Sequence, residues 1–263
     1  MTPQTKSEMV CLEIRGGNRR ESYSVEMPGL SAWISSQPLM PSLEGGDLHY
    51  LTVCSHGAIS RVVLADVAGH GDDVAAVADR LQDGLRRHLD NWDQSILVQE
   101  LNDFLLAGGE LGQYATAFFL GQYVETGEVL FTNAGHTPPL WYHAEERRWT
   151  LLSHVTAYAK DIANLPIGLI PGTAYTQTAI QLGVGDMVVL YTDGITESRD
   201  TTGRELGYAQ LLSLVSDVPI ESAAMTGPAL LANVEMFRGG NQATDDETVI
   251  VLRRTQSNPV SAG

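Results

Sequence analysis

Cysteine is nearly absent from this sequence: Cys11 and Cys54 are the only two among 263 residues. Two such residues build no disulfide framework and lack metal-ligand spacing, so a reducing compartment is expected. Long apolar runs are missing as well. The longest clean ones, such as Met187 to Tyr191, fall far short of the roughly 20 residues a membrane-spanning helix needs. The opening MTPQTKSEMVCLEIRGGNRR is broken by charges and glycines and holds no secretory apolar core. Positive charge is scarce, since 16 Lys and Arg stand against 32 Asp and Glu and leave a formal net charge of −16. That excludes the basic face on which non-specific nucleic-acid binding depends. These absences predict a cytoplasmic protein with neither nucleic acid nor membrane as partner.

What is present reads as an ordinary globular chain, 43% apolar and 18% charged, with no internal repeat, low-complexity block or compositional linker. Short strands are expected near Ser22–Glu26 and Ala32–Ser36. Two more, His49–Val53 and Ile59–Ala65, flank a Ser-His-Gly turn as a hairpin. DDVAAVADRLQDGLRRHL then places Val74, Val77, Ala78, Leu81, Leu85 and Leu89 at helical spacing, with Asp72 or Asp73 as N-cap. A second helix follows in SILVQELNDFLLAG, its apolar face at Leu97, Leu101, Phe104 and Leu105 and its stop at Gly108–Gly109.

The period then changes. TAFFLGQYVETGEVLFTNAG and PLWYHAEERRWTLL read as hairpins, and TQTAIQLGVGDMVVLYTDG as a strand pair joined through Gly-Val-Gly-Asp. Helices are expected near Tyr208–Val215 and Ser222–Phe237, and ETVIVLRR closes the chain as a strand. Antiparallel hairpins with two pairs of helices imply an α+β fold, two packed sheets with helices on their outer faces.

Acids at four places share one context. Asp47 opens a strand after Gly45–Gly46, Asp66 ends VVLA, Asp193 ends MVVLYT before Gly194, and Asp245–Asp246 precede the last strand. Any one of them is explained as a turn former or helix cap. If they converge at one sheet edge they repel unless a cation neutralises them, and carboxylate oxygens are the ligands Mg2+ and Mn2+ prefer.

Six stretches in order resemble blocks of the metal-dependent PPM (PP2C-type) protein phosphatases. They are LEGGDLHY, VVLADVAGHG, FTNAGHTPPLWY, LPIGL, VVLYTDGITES and DDETVIVL. The resemblance is to the bacterial branch of the stage II sporulation phosphatase and the stress-response phosphatases of partner-switching pathways. It implies a central β-sandwich of two antiparallel sheets flanked by helix pairs, over residues 41–254. The first forty residues are then a segment that is part of this domain or packed on it, with no recognisable sensor domain, and 255–263 a disordered tail. It also implies that Asp66 bridges two Mn2+ or Mg2+ ions, with the Val67 carbonyl as a further ligand. Asp193 and Asp245 then hold the second ion, and Asp47 holds metal-bound water. Catalysis by Asp66, Asp193 and Asp245 through that water needs no covalent intermediate, and no cysteine or histidine nucleophile motif is visible. The implied substrate is phosphoserine or phosphothreonine on an anti-sigma-factor antagonist. A regulatory protein partner or a homodimer would supply control.

Other residues keep two readings. His70 either protonates the leaving serine oxygen or is a buried turn histidine. His136, Asn133 and Pro138–Pro139 read as turn architecture. The sequence also departs from the branch in two places. Tyr50 stands where a second acid is usual, three residues after Asp47, which points to lower metal affinity or altered activation. Asp72–Asp73 add charge after the glycines, either capping the helix or recruiting a further cation. No arginine for gripping phosphate is evident. Tyr50 also raises the alternative of a pseudophosphatase that binds a phosphoprotein without turnover. An aspartate-nucleophile phosphatase of the haloacid type is excluded, because it needs Asp-x-Asp and Asp66 is followed by Val67 and Ala68.

Overall fold

The computed structural model describes residues 12–42, 44–54, 57–68, 72–88, 93–108, 113–152 and 164–256. Within them two six-stranded antiparallel sheets lie face to face. The first runs in the order β1 (Leu12–Gly16), β4 (Asp47–Cys54), β5 (Ile59–Val67), β6 (Ala115–Tyr123), β7 (Glu128–Ala134) and β10 (Thr178–Gln181). The second runs β2 (Glu21–Met27), β3 (Leu30–Gln37), β12 (Glu247–Arg254), β11 (Met187–Tyr191), β8 (Leu140–His143) and β9 (Arg148–Leu151). Helices α1 (Asp72–His88) and α2 (Gln94–Gly108) cover the first sheet. Helices α4 (Gly207–Ser216) and α5 (Ala223–Arg238) cover the second, together with the one-turn α3 (Asp193–Thr196). This is the α+β sandwich flanked by helix pairs that the sequence predicts.

Period-two alternation explains why the central strands read as unbroken apolar runs. In β5, Val63, Ala65 and Val67 pack toward α1 and α2, while Val62 and Leu64 pack between the sheets. In β11, Met187, Val189 and Tyr191 face the α4–α5 side and Val188 and Leu190 face inward. A strand covered on both faces has no solvent side to make polar. The helices supply one face each: Val74, Val77, Ala78, Leu81 and Leu85 of α1 are all buried against the first sheet. Each buried valine or leucine among them contributes roughly 1.5–3 kcal/mol relative to exposure.

Two expectations are corrected. The strands around Gly183–Asp186 are real but do not pair with each other: β10 joins β7 and β11 joins β8 and β12, in different sheets. Between them the Asp186 carboxylate accepts the Gly183 N–H at 2.9 Å and the Ala144 N–H at 2.8 Å, tying the turn to the β8–β9 hairpin, while the Leu182 N–H donates to the Gly127 carbonyl beside β7 at 3.1 Å. The edge strand β1, paired with β4 from Leu12↔Val53 to Gly16↔His49, has no counterpart in the sequence reading. The Ser55–His56 turn, Gly69–Gly71 with His70, Leu89, Gly109 and the tail beyond residue 256 lie outside the described residues.

Candidate metal-binding active site

Both sheets present acids at the same end of the sandwich. Asp47 begins β4 and pairs in register with Asp66 near the end of β5. From the second sheet, Asp193 follows β11 after Thr192, and Asp245 stands two residues before β12. The two rims are stitched together by hydrogen bonds. Thr192 Oγ1 donates to Asp47 Oδ2 at 2.9 Å, and the same hydroxyl accepts the Thr248 N–H at 2.9 Å. Asp246 accepts the Leu39 N–H at 2.7 Å and the Gly46 N–H at 2.6 Å, fixing the loop that leads into Asp47. Its own N–H donates to Asp245 Oδ1 at 2.8 Å.

The electrostatics of this rim are dominated by burial and like charge. Asp66 is pushed up to about 7, first by desolvation and then by Asp193, Asp245, Asp246 and Glu197. Asp47, only 1% exposed, is raised well above the usual carboxylate range by burial and by Asp66, with Thr248 and Thr192 opposing. Asp193 is raised by burial and then by Asp245. The four sequence-predicted acids therefore sit in one electrostatic neighbourhood. Asp246 and Glu197 belong to it too. The sequence reading noted Asp246 without giving it a role, and it passed over Glu197 inside DGITES.

The donor set suits a hard divalent cation, being carboxylates together with the Val67 main-chain oxygen. Residue 46 is glycine, and a Cβ there would stand 2.9 Å from the Val67 carbonyl oxygen, so the missing side chain keeps that oxygen uncrowded. Among the described residues, no three acid, cysteine or histidine groups are gathered tightly enough to grip one ion as they stand.

A cavity of about 300 Å3 opens beside Asp193, bordered by Gly135, His136, Thr196, Glu197 and Tyr208. None of the residues lining it is arginine or lysine. His136 is held by Asn133, which accepts its N–H at 2.7 Å and donates to its carbonyl at 2.9 Å. Its ring Nδ1 bonds Thr116 Oγ1 at 2.8 Å, and burial lowers its pKa to about 3. That is a turn built around a neutral histidine. Tyr50 is 2% exposed and packs on the helix-facing side of β4 with Leu48, opposite to Asp47. Of Asp72 and Asp73 only the backbone, the first two residues of α1, is described.

An antiparallel two-sheet sandwich, helices outside and acids along one rim, defines the PP2C-like phosphatase class. Residues 57–255 match the family described as Stage II sporulation protein E (SpoIIE), so the chain belongs to the SpoIIE family of PP2C-type phosphatase domains. It is 25% identical over 195 residues to the phosphoserine phosphatase RsbU of Bacillus subtilis, covering 74% of this chain and 55% of that one. Identity to phosphoserine phosphatase RsbP of the same organism is 22% over 213 residues, covering 79% and 48%. The chain thus spans about half the length of these two relatives. Among solved structures, the RsbU and RsbW domains of Rv1364c from Mycobacterium tuberculosis superpose with a TM-score of 0.72 at 23% identity, over 89% of this chain and 63% of that one. The PP2C phosphatase domain of SpoIIE from Bacillus subtilis gives 0.71 at 19%, over 87% and 64%.

Proposed function

We propose that this chain is a Mn2+- or Mg2+-dependent protein serine/threonine phosphatase. Asp66, the Val67 carbonyl, Asp193 and Asp245 would hold two ions, with Asp47 positioned toward their water. The observation that carries this reading is the Asp66 carboxyl. Its pKa is driven to about 7 by burial and by four neighbouring acids, a repulsion that divalent cations relieve. A related fold, RsbX, was solved in complex with magnesium and superposes with a TM-score of 0.65 at 13% identity, over 89% of this chain and the whole of that one.

Bound ions would supply Lewis acidity, lowering the pKa of water and neutralising phosphate oxygens. The chain's own residues do the rest. Strand ends fix where each carboxylate points, and Thr192 orients Asp47 through its hydroxyl. Asp246 holds the loop before Asp47 by two main-chain bonds. The cavity beside Asp193 receives the substrate backbone around the phosphorylated serine or threonine. Since no arginine or lysine lines it, phosphate charge is left to the ions. His136, neutral and clamped, shapes the cavity wall.

The substrate we infer is a phosphorylated anti-sigma-factor antagonist in a partner-switching pathway in the cytoplasm, with a regulatory protein or a second copy exerting control. The support is the similarity to RsbU and RsbP, both named phosphoserine phosphatases. The phosphatase domain is taken as residues 41–254, with 1–40 as a segment that is part of it or packed on it. Release of inorganic phosphate from a phosphoserine peptide, with Mn2+ and with EDTA, tests the reading. Asp193→Asn should lower kcat/KM by more than the roughly 100-fold lost when groups that merely orient a metal ligand are removed. Full activity in EDTA, or an Asp193→Asn enzyme as fast as the parent, would overturn it.

A further inference from the structure

The last residue of α5 is an arginine that the phosphatase reading leaves unused. Arg238 is only 6% exposed, and arginines are buried this deeply only when paired. Its guanidinium makes an ion pair with Glu247, itself 8% exposed, and a second with Glu235 at 3.2 Å. Nε and Nη2 also donate to Ser198 Oγ at 3.2 and 2.8 Å. The Ser198 hydroxyl passes the connection on, donating to the Gly194 carbonyl at 3.0 Å.

The chain around these contacts is the important part. Gly194 follows Asp193, and Glu247 comes two residues after Asp245. A Cβ on Gly194 would stand 2.1 Å from the Asp246 carbonyl oxygen, so the two acid-bearing segments are pressed backbone against backbone. Beyond α5, Asn241 Nδ2 donates to the Arg199 and Asp200 carbonyls at 3.1 and 2.8 Å, holding the outgoing end of the same turn. The end of α5 is thus the platform on which both segments rest.

We propose that Arg238 is a positioning residue for the metal site. One buried, planar guanidinium clamps the turn carrying Asp193 to the strand entry carrying Asp245, so that both carboxylates face the same ion. The fork geometry matters, because a lysine ammonium cannot serve Ser198 and Glu247 along two fixed directions. The inference rests on the reading of Asp193 and Asp245 as metal ligands.

Calorimetric titration of Mn2+ into the metal-free full-length chain tests it, with each variant held well below its own Tm. Arg238→Gln, Arg238→Lys and Ser198→Ala should each weaken Mn2+ binding about 10- to 100-fold, the range for losing a group that orients a metal ligand. The Ser198→Ala, Arg238→Gln double variant should lose little more than Arg238→Gln alone, since both act through one connection. A purely structural arginine would lower Tm and leave the Mn2+ affinity alone. Ser198→Ala removes a single hydroxyl and decides the matter if Arg238→Gln does not fold. If Asp193→Asn impairs binding while Ser198→Ala and Arg238→Lys bind Mn2+ like the parent, the positioning role is wrong and the ligand reading stands. If Asp193→Asn itself binds like the parent, the ligand reading fails and the proposal fails with it.

Discussion

At the scale of single residues, burial decides more than residue type. Asp66 is a carboxyl raised to about 7 and Asp47 one raised well above the usual carboxylate range, while burial lowers the imidazoles of His49 and His136 to pKa values of about 4 and about 3. An acid with a raised folded pKa holds its proton better folded than unfolded, so its stabilising contribution is lost as pH rises through the folded value. A histidine with a lowered folded pKa does the reverse, losing stability as pH falls below its unfolded value near 6.5. Between pH 4 and 6.5 the two pairs oppose each other. Above pH 6.5 the acids act alone. The metal-free protein should therefore lose stability as pH rises from 6.5 through the Asp66 value of about 7, at a rate of up to about 1.4 kcal/mol per pH unit for each proton involved. Saturating Mn2+ should remove that slope. Urea unfolding at several pH values, with EDTA and with Mn2+, reads both. A metal-free stability that rises across that window contradicts the assignment.

The same scale shows why Tyr50 was hard to interpret from sequence. Three residues along a strand reverse the face, so residue 50 points away from Asp47 and under α1. A large aromatic suits that place, and the acid rim is untouched by it. The residue that raised a binding-only reading therefore sits in the core.

At the scale of elements, the central strands and amphipathic helices were legible because their apolar period matches the layers they join. Strand β12 coincides with ETVIVLRR, and α1 and α2 carry the predicted apolar faces, except that Phe104 is only half-buried and Leu89 lies outside the described residues. Illegible were β1, a five-residue edge strand carrying Glu13 and Arg15, and the parting of β10 from β11. Edge strands bury one face weakly, and a glycine turn looks alike whether its strands pair or separate. Here the contacts that hold the turn are distant in sequence, Asp186 bonding the Ala144 N–H after β8 and Leu182 the Gly127 carbonyl beside β7.

Packing of α5 on the second sheet is a further element-level fact. A Cβ on Gly227 would stand 2.0 Å from the Trp33 ring, so the helix lies directly on the indole. Gly227→Ala should gain helix propensity and still destabilise, by about 1–3 kcal/mol, because the wedge forces helix and sheet apart. Chemical denaturation of the variant checks this, and an unchanged or higher midpoint would refute the close packing.

At the scale of the whole molecule, the sandwich brings together acids that the chain keeps far apart. Asp47 and Asp66 come from one sheet, and Asp193, Asp245 and Asp246 from the loops of the other. Strand-end aspartates beside glycine-containing or polar turns are visible in the sequence, but each alone is a turn residue. Only the register Asp47↔Asp66 and the Thr192–Asp47 bond across the sheets make them one site. The net charge of −16 belongs to this scale as well. Part of the acid excess is the rim cluster of Asp47, Asp66, Asp193, Asp245 and Asp246, whose mutual repulsion a bound cation would relieve, and the rest keeps the surface solvated.

The proposed two-ion site has Asp66 at its middle. Counting Mn2+ ions bound to the metal-free protein by calorimetry near neutral pH tests it most directly. Two ions per chain, taken up with release of protons as Asp66 ionises and with both affinities collapsing in Asp66→Asn, is the predicted result. Failure of the parent chain to bind Mn2+ or Mg2+, or an Asp66→Asn variant that binds two ions as tightly as the parent, would contradict it.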